Sequence, residues 1–365
     1  MQIALSLGAT GVLAFLISAV IIPVIITVSH KRAWYDIPNN RKIHTGPIPR
    51  LGGIGIYFGF MAASLAVPLL LPVIFPGFQP AGYTLGYLPV FLAFTLIHGM
   101  GLVDDFHNLR ALLKFLLQIA AAALVTVGGF TISRFSVPGW RVISLGVFSY
   151  PITILWLVAI SNAMNLVDGV DGLAGGIAGI AALVIGVICI LLDRLIPAFM
   201  AFALLGAIIG FLLSNFPPAR VFMGDSGSLL IGFVLAALPL MISPGNTSVG
   251  ELLAPGTVLL VPILDTISAI VRRVAGGRPI QSPDKEHIHH KLLDLGVKEV
   301  PLLLIIYGSC AVLGIAAVWS LFLGRWSALA LLASLWLVAL LAFGALSAMR
   351  NRRGAPKANL ERPAS

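Results

Sequence analysis

Charge is what this sequence has least of. Only 10% of its 365 residues are Asp, Glu, Lys or Arg, while 59% are hydrophobic, and the mean hydropathy is +1.02. Ordinary soluble domains carry about 25% charged residues. There are too few polar side chains here to cover a water-facing surface, which excludes both a soluble domain and a disordered chain. Cysteine is almost absent. Cys189 and Cys310 lie in apolar segments with no paired spacing, which excludes a disulfide scaffold and leaves both as small core residues. The alternation of polar and apolar residues that a transmembrane β-barrel needs is missing as well.

Long apolar runs stand in their place. Eleven of them fall roughly at 3–28, 52–72, 85–103, 112–128, 151–167, 172–192, 195–213, 227–243, 253–271, 301–322 and 327–348. Most approach the length of about 20 residues that crosses a bilayer core as helix. The first run is longer than a signal-peptide core and is followed by His30, Lys31 and Arg32, so it reads as a retained span. The expected fold is all-α, a polytopic membrane protein with about eleven transmembrane helices. One catalytic domain covers residues 1–349, with no soluble domain or internal repeat. A basic tail, 350–365, is expected to be disordered or held to anionic lipid.

The net charge of +9 would suit nucleic acid, but the basic residues sit between apolar runs, as the positive-inside rule expects. With the N-terminus outside and the C-terminus cytoplasmic, 19 of the 23 Lys and Arg residues fall on the inner side. Of the acids, only Asp193 and Glu251 fall outside. All seven histidines are in inner segments or, for His98, in the inner half of the third run. A transporter places ionisable groups near the bilayer midplane. Here they gather on one face, as chemistry between a cytosolic substrate and the membrane requires.

Four inner segments carry the chemistry. The first is Gly101-Leu102-Val103-Asp104-Asp105, near His98. Adjacent helix positions lie about 100° apart, so one carboxylate is expected to face the bundle while the other caps the next helix. The second is Asn165-Leu166-Val167-Asp168-Gly169-Val170-Asp171-Gly172, where Asp168 and Asp171 share a face if the stretch is helical. The third, Phe222-Met223-Gly224-Asp225-Ser226-Gly227-Ser228, has small residues that permit close approach of a phosphate, or else a helix cap. The fourth follows the ninth run: Asp265, Arg272, Arg273, Arg278 and then Pro283-Asp284-Lys285-Glu286-His287-Ile288-His289-His290-Lys291. Such a loop suits a nucleotide diphosphate. Three histidines alone would suggest zinc, but no cysteine is near and the facing groups are carboxylates, which favour a hard cation.

Five inner-face acids (Asp104, Asp105, Asp168, Asp171 and Asp225) would repel one another unless they take up protons or bind a cation. Mg²⁺ typically uses one or two carboxylates and completes its shell with water and substrate phosphates. Carboxylates facing a basic loop are the arrangement used for metal-assisted phosphoryl transfer. The residues alone name neither acceptor nor sugar.

Together these segments resemble the polyprenyl-phosphate N-acetylhexosamine-1-phosphate transferases, the glycosyltransferase 4 family. The matching pieces come in the family's order. They run from Asn40-Arg41-Lys42-Ile43-His44 and Pro49-Arg50-Leu51-Gly52-Gly53 through Asp104-Asp105, Asn165–Gly172 and Met223-Gly224-Asp225 to His287-Ile288-His289-His290. The His-x-His-His ending is similar to the branch that makes undecaprenyl-diphospho-N-acetylglucosamine. The branch that transfers phospho-N-acetylmuramoyl-pentapeptide has a different histidine loop.

The resemblance implies a bacterial cytoplasmic-membrane enzyme that turns UDP-N-acetylglucosamine and undecaprenyl phosphate into UMP and the lipid-linked sugar diphosphate, the first lipid-linked step of a cell-envelope polysaccharide. It implies eleven spans and Mg²⁺, with Mn²⁺ as the expected substitute. It places the metal on Asp225 and Asn165, and the catalytic acids at Asp104, Asp105, Asp168 and Asp171. Asp104 is the proposed base in such proteins, and Asp168 and Asp171 line the nucleotide side. The substrate contacts implied are Lys114, Asn165, Arg272, His287, His289 and His290. A phosphate monoester has a second pKa of about 6 and is already largely ionised near neutral pH, so Asp104 or Asp105 could equally orient groups. Nothing in the sequence decides between a monomer and a homodimer, and the polymer served downstream stays open.

Two readings stand against this. An intramembrane prenyltransferase also uses Mg²⁺ and Asp-rich motifs, but it spaces acids four apart, and positions 108 and 172 here are Asn and Gly. A lipid transporter would want polar residues inside its spans, and these have almost none. The 38 glycines suit close helix packing.

Overall fold

The structure is a computed structural model that describes residues 2–35, 48–74, 85–136, 141–279 and 286–352. Each of the eleven apolar runs falls on helical structure. The first eight helices are α1 (Gln2–Arg32), α2 (Gly52–Ile74), α3 (Leu88–His107), α4 (Ala111–Val127), α5 (Ser149–Val167), α6 (Leu173–Leu191), α7 (Leu195–Asn215) and α8 (Asp225–Ala237). They are followed by α9 (Leu253–Val258), α10 (Leu260–Ala275), α11 (Ile288–Asp294), α12 (Glu299–Trp319) and α13 (Arg325–Arg352). Among the described residues seven of these are long and apolar enough to cross a membrane, or eight if one bent pair counts as a single span. The remaining runs lie on α2, on α4 and on α8, which continues into a 3-10 turn at Leu238–Met241.

The bent pair corrects the ninth predicted run. Residues 253–271 are not one rod but α9 and α10, with a 95° bend between them. The cause is local. Pro262 has no N–H to offer the carbonyl four residues back, so the hydrogen-bond ladder cannot run through from α9. The all-α architecture holds, with one small addition that the sequence reading lacked. A small sheet is present, with β1 (Ile132–Phe135), β2 (Ile143–Ser144) and β3 (Thr247–Ser248) in the order β2-β1-β3. β1 pairs antiparallel with β2 and parallel with β3. Its residues lie between apolar runs and are too few to register as strands in a periodicity read for helices. The last helix also continues past the boundary drawn for the tail, through Arg352. Residues 353–365 lie outside the described residues.

The core forms around α8. It packs against α2, α3 and α5, and every residue from Ser226 to Ala237 is buried, as a helix apolar on all sides must be. Around it α1, α2 and α7 pack in close contact. A Cβ on Gly206 would collide with the backbone of Gly11, the small-residue contact by which membrane helices approach without a hydrophobic driving force. The order of the helices then does one thing for function. The C-terminal ends of α3 and α5 and the N-terminal ends of α4 and α8 meet at one end of the bundle. The sheet lies at the other end: β1 and β2 fall between α4 and α5 in the chain, and β3 between α8 and α9.

Candidate active site

The site is built on the N-terminus of α8. Gly224 precedes it at φ +72, a left-handed conformation that favours glycine. A Cβ there would strike the Arg50 carbonyl and lie 2.6 Å from an Asp105 carboxylate oxygen. The Pro49–Gly53 segment is stitched alongside: Phe222 N–H donates to the Pro49 carbonyl at 2.7 Å, Gly52 N–H to Phe222 at 2.9 Å and Gly53 N–H to Met223 at 2.9 Å. On the other side, a Cβ on Gly101 would sit 2.5 Å from the Ser226 Cα. Backbone therefore meets backbone where α3 crosses α8, and the acids that follow Gly101 are delivered to Asp225.

Asp105 accepts the backbone N–H groups of Asp225 at 2.8 Å and Ser226 at 3.1 Å, two of the donors that a helix start leaves without an intrahelical partner. It caps a helix, as one of the pair was expected to, but the helix is α8 and not the next in sequence. His98 Nδ1 lies 3.1 Å from the Ser226 carbonyl, its ring stacked on Tyr57 at 4.1 Å.

Asp104 faces the centre. It is buried, accepts the Leu109 N–H at 2.6 Å and is ion-paired with Lys114. The same ammonium lies 3.3 Å from Asp225. Asn165 Nδ2 donates to Asp225 Oδ1 at 3.1 Å and to Ser228 Oγ at 2.9 Å, and the Arg50 guanidinium stands 4.0 Å from Asp225 Oδ1. Asp225 is thus the hub. Its partners come from α4, α5 and the 49–53 segment, and two of them are cations.

Residues 168–172 form a turn between α5 and α6, so Asp168 and Asp171 do not share a helix face. Asp171 accepts the Ala219 N–H at 2.8 Å. Gly172, at φ +76, donates to Asn215 Oδ1 at 2.9 Å and accepts from Tyr307 Oη at 2.6 Å. The Asp168 carboxylate accepts no hydrogen bond among the described residues. Burial, reinforced by the charge of Asp225, pushes its pKa up to about 7.

The segment expected as a basic loop contains the short helix α11. Asp265 is fully buried and holds its start, with Oδ2 2.8 Å from His287 Nδ1 and Oδ1 accepting the Ile288 N–H at 2.8 Å. His289 packs on the turn: a Cβ on Gly169 would lie 2.7 Å from its Nε2. It is buried at 2% exposure and lies beside His290, ring centroids 4.3 Å apart. Burial first, then the neighbouring His290, pushes its pKa down to about 3. Arg272 is 3.6 Å from Glu286.

The structure therefore brings together Asp104, Asp105, Lys114, Asn165, Asp168 and Asp225 around one centre, with His289 beside Gly169, His290 on the same short helix and His287 just before its start. Asp171 is adjacent in the turn but engaged with the 217–221 segment, and Arg272 borders the histidine helix. Arg50 and His98 were not named as site residues from the sequence. Arg50 stood in the Pro49–Gly53 match, and that match was its only signal. Asn40–His44 and Pro283–Lys285 lie outside the described residues.

Known proteins resemble this chain over most of its length. The model for glycosyl transferase family 4 matches residues 87–243. A Bacillus subtilis protein named "Probable undecaprenyl-phosphate N-acetylglucosaminyl 1-phosphate transferase" is 36% identical over 301 residues, covering 81% of each chain. The Mycolicibacterium smegmatis decaprenyl-phosphate N-acetylglucosaminephosphotransferase is 38% identical over 292 residues, covering 74% of this chain and 71% of that one. The undecaprenyl-phosphate alpha-N-acetylglucosaminyl 1-phosphate transferase of Escherichia coli K12 is 28% identical over 315 residues, covering 83% and 82%. The chain belongs to glycosyl transferase family 4.

Proposed function

We propose that this protein transfers N-acetylglucosamine-1-phosphate from UDP-N-acetylglucosamine to undecaprenyl phosphate, releasing UMP and leaving the sugar on a lipid diphosphate. The observation that carries the reading is the Asp225 hub, with the histidine helix packed on the neighbouring 168–172 turn, in a chain whose relatives are named for this transfer to undecaprenyl or decaprenyl phosphate. Those names do not favour the muramoyl-pentapeptide, prenyltransferase or transporter alternatives. The positive-inside distribution supports a multi-pass protein of the bacterial cytoplasmic membrane with this end of the bundle in the cytoplasm.

A divalent metal fits the donor set. Among the described residues the Asp168 carboxylate and the Asn165 amide oxygen accept no hydrogen bond, and Asp225 is the carboxylate they border. These are oxygen ligands of the kind Mg²⁺ and Mn²⁺ take. Asp225, Asn165 and Asp168 would hold the ion. When bound it neutralises charge on the diphosphate.

The chain's own residues then do the positioning on which phosphoryl transfer mainly depends. Lys114 ties Asp104 to Asp225 and offers a cation to the acceptor phosphate. Asp105 holds the start of α8 in place. His287, His289, His290 and Arg272 bind the nucleotide side. Because the acceptor phosphate is already largely ionised near neutral pH, Asp104 orients Lys114 and need not remove a proton.

The test is label transfer from radioactive UDP-N-acetylglucosamine to undecaprenyl phosphate by the purified, folded protein, with decaprenyl phosphate and other UDP-sugars in parallel. A labelled lipid that requires metal is the expected result. No transfer from any UDP-sugar would overturn the reading.

A further inference from the structure

α11 is seven residues long, far too short to hold a helix on its own propensity. The contacts around it must therefore fix where its histidines stand. Its start is tied to α10 through Asp265, and His289 faces the Asp168 turn. Besides α12, which follows it in the chain, it packs on the last helix, expected from the sequence as a span followed by a loose tail.

Lys291 Nζ donates to Ser347 Oγ at 2.8 Å, and Ser347 in turn donates to the Phe343 carbonyl at 2.9 Å. Arg350 Nε donates to Asp294 Oδ2 at 2.8 Å, and its Nη1 is 3.5 Å from Glu286 Oε2. The spacing matches on both sides. Lys291 and Asp294 are i and i+3 on α11, and Ser347 and Arg350 are i and i+3 on α13, so each pair presents one face to the other. Lys291 is 2% exposed, and burial, with the nearby Arg272 guanidinium, holds its ammonium below the usual lysine range. A buried cation needs a bonded partner, and Ser347 is that partner.

We propose that Ser347 and Arg350 are positioning residues: they latch the histidine-bearing α11 to α13 and so set how His289 meets the Asp168 turn. This rests on the transferase reading, in which that helix binds the nucleotide sugar. Arg350 also closes the cytosolic end of the bundle, joining its last helix to the segment that follows α10.

The experiment uses the full chain in lipid nanodiscs, comparing wild type with Arg350→Ala, Arg350→Lys and Ser347→Ala. Backbone hydrogen exchange is followed over residues 286–296, and kinetics with UDP-N-acetylglucosamine are measured alongside. Both alanine variants are expected to speed exchange in α11 while leaving α3 and α8 protected. The half-exposed ion pairs set the scale: KM for the sugar nucleotide should rise about fivefold, with kcat within about twofold of wild type. Arg350→Lys, which keeps the charge, should recover part of both effects.

Unchanged exchange in α11 would overturn the latch. Faster exchange with an unchanged KM, or a fall in kcat alone, would overturn the positioning role. The exchange arm needs no turnover, so a wild-type protein inactive with every UDP-sugar would sink the transferase reading while the latch is still judged on exchange.

Discussion

Asp105, near the end of α3, accepts the backbone N–H of Asp225 at 2.8 Å, joining two residues 120 positions apart. The cap is made by a carboxylate from another helix, and it holds the residue on which the site converges. Replacing Asp105 by Ala leaves two helix-start donors unsatisfied, a loss of about 1–3 kcal/mol for each that stays out of water, and lowers turnover because Asp225 shifts. Asp105→Asn, which keeps one acceptor oxygen, should recover much of both. Denaturant unfolding in detergent beside the activity assay checks this. Equal stability of the Ala variant and wild type would remove the capping role.

Asp225 receives Lys114, Asn165 and Arg50 at once. Asp225→Ala should fold and lose on the order of 10²-fold or more in turnover, the scale set by removal of one preorganised charge partner. Asp225→Asn should keep residual activity but need more Mg²⁺, and chelator should abolish wild-type transfer until Mg²⁺ or Mn²⁺ returns. A metal titration of each variant decides it, and a variant with the wild-type metal requirement would take the ion off Asp225.

If Asp104 orients Lys114 and does not remove a proton, Asp104→Asn should lower kcat without moving the acid limb of the pH–rate profile. Lys114→Met should produce a loss of similar size, and the double variant should cost little more than either alone, as for residues acting as one unit. Disappearance of the acid limb in Asp104→Asn would restore the base role.

His289 is buried with its Nδ1 unbonded among the described residues. Its pKa lies near 3 in the folded chain, against about 6.5 unfolded. Between those values the unfolded state binds a proton that the folded state refuses, so stability is lost as pH falls below about 6.5. The gap in unfolding free energy between wild type and His289→Gln should move by about 1.4 kcal/mol from pH 7.5 to 5.5, against wild type. Parallel pH dependences would show that the imidazole protonates freely in place.

Much of this was legible in the residue order, for particular reasons. Helices followed from apolar runs because a bilayer core permits few other backbones. The break at Leu259 was missed although Pro262 announces it, because a hydropathy window averages over a single proline. A shared face for Asp168 and Asp171 was conditional on a helix there, and the stretch through Gly169 and Gly172 is a turn instead. α11 hid in a charged stretch whose helix is stabilised by partners on α10 and α13 and not by its own periodicity.

By itself the sequence determined the class of the molecule, the ordered motifs that mark its family, and the residue types gathered for phosphate and metal chemistry. These depend on composition and spacing along the chain. Only the tertiary structure decided that Asp105 caps α8, that Lys114 joins Asp104 to Asp225, that Arg50 and His98 belong beside them, and that Arg350 bonds Asp294 of the histidine helix. Each of these joins positions far apart in the chain, except that of Lys114 with Asp104. Such contacts depend on how closely helices can approach, which is set at glycines such as Gly101 and Gly224 by the partner that fills the space a side chain would take.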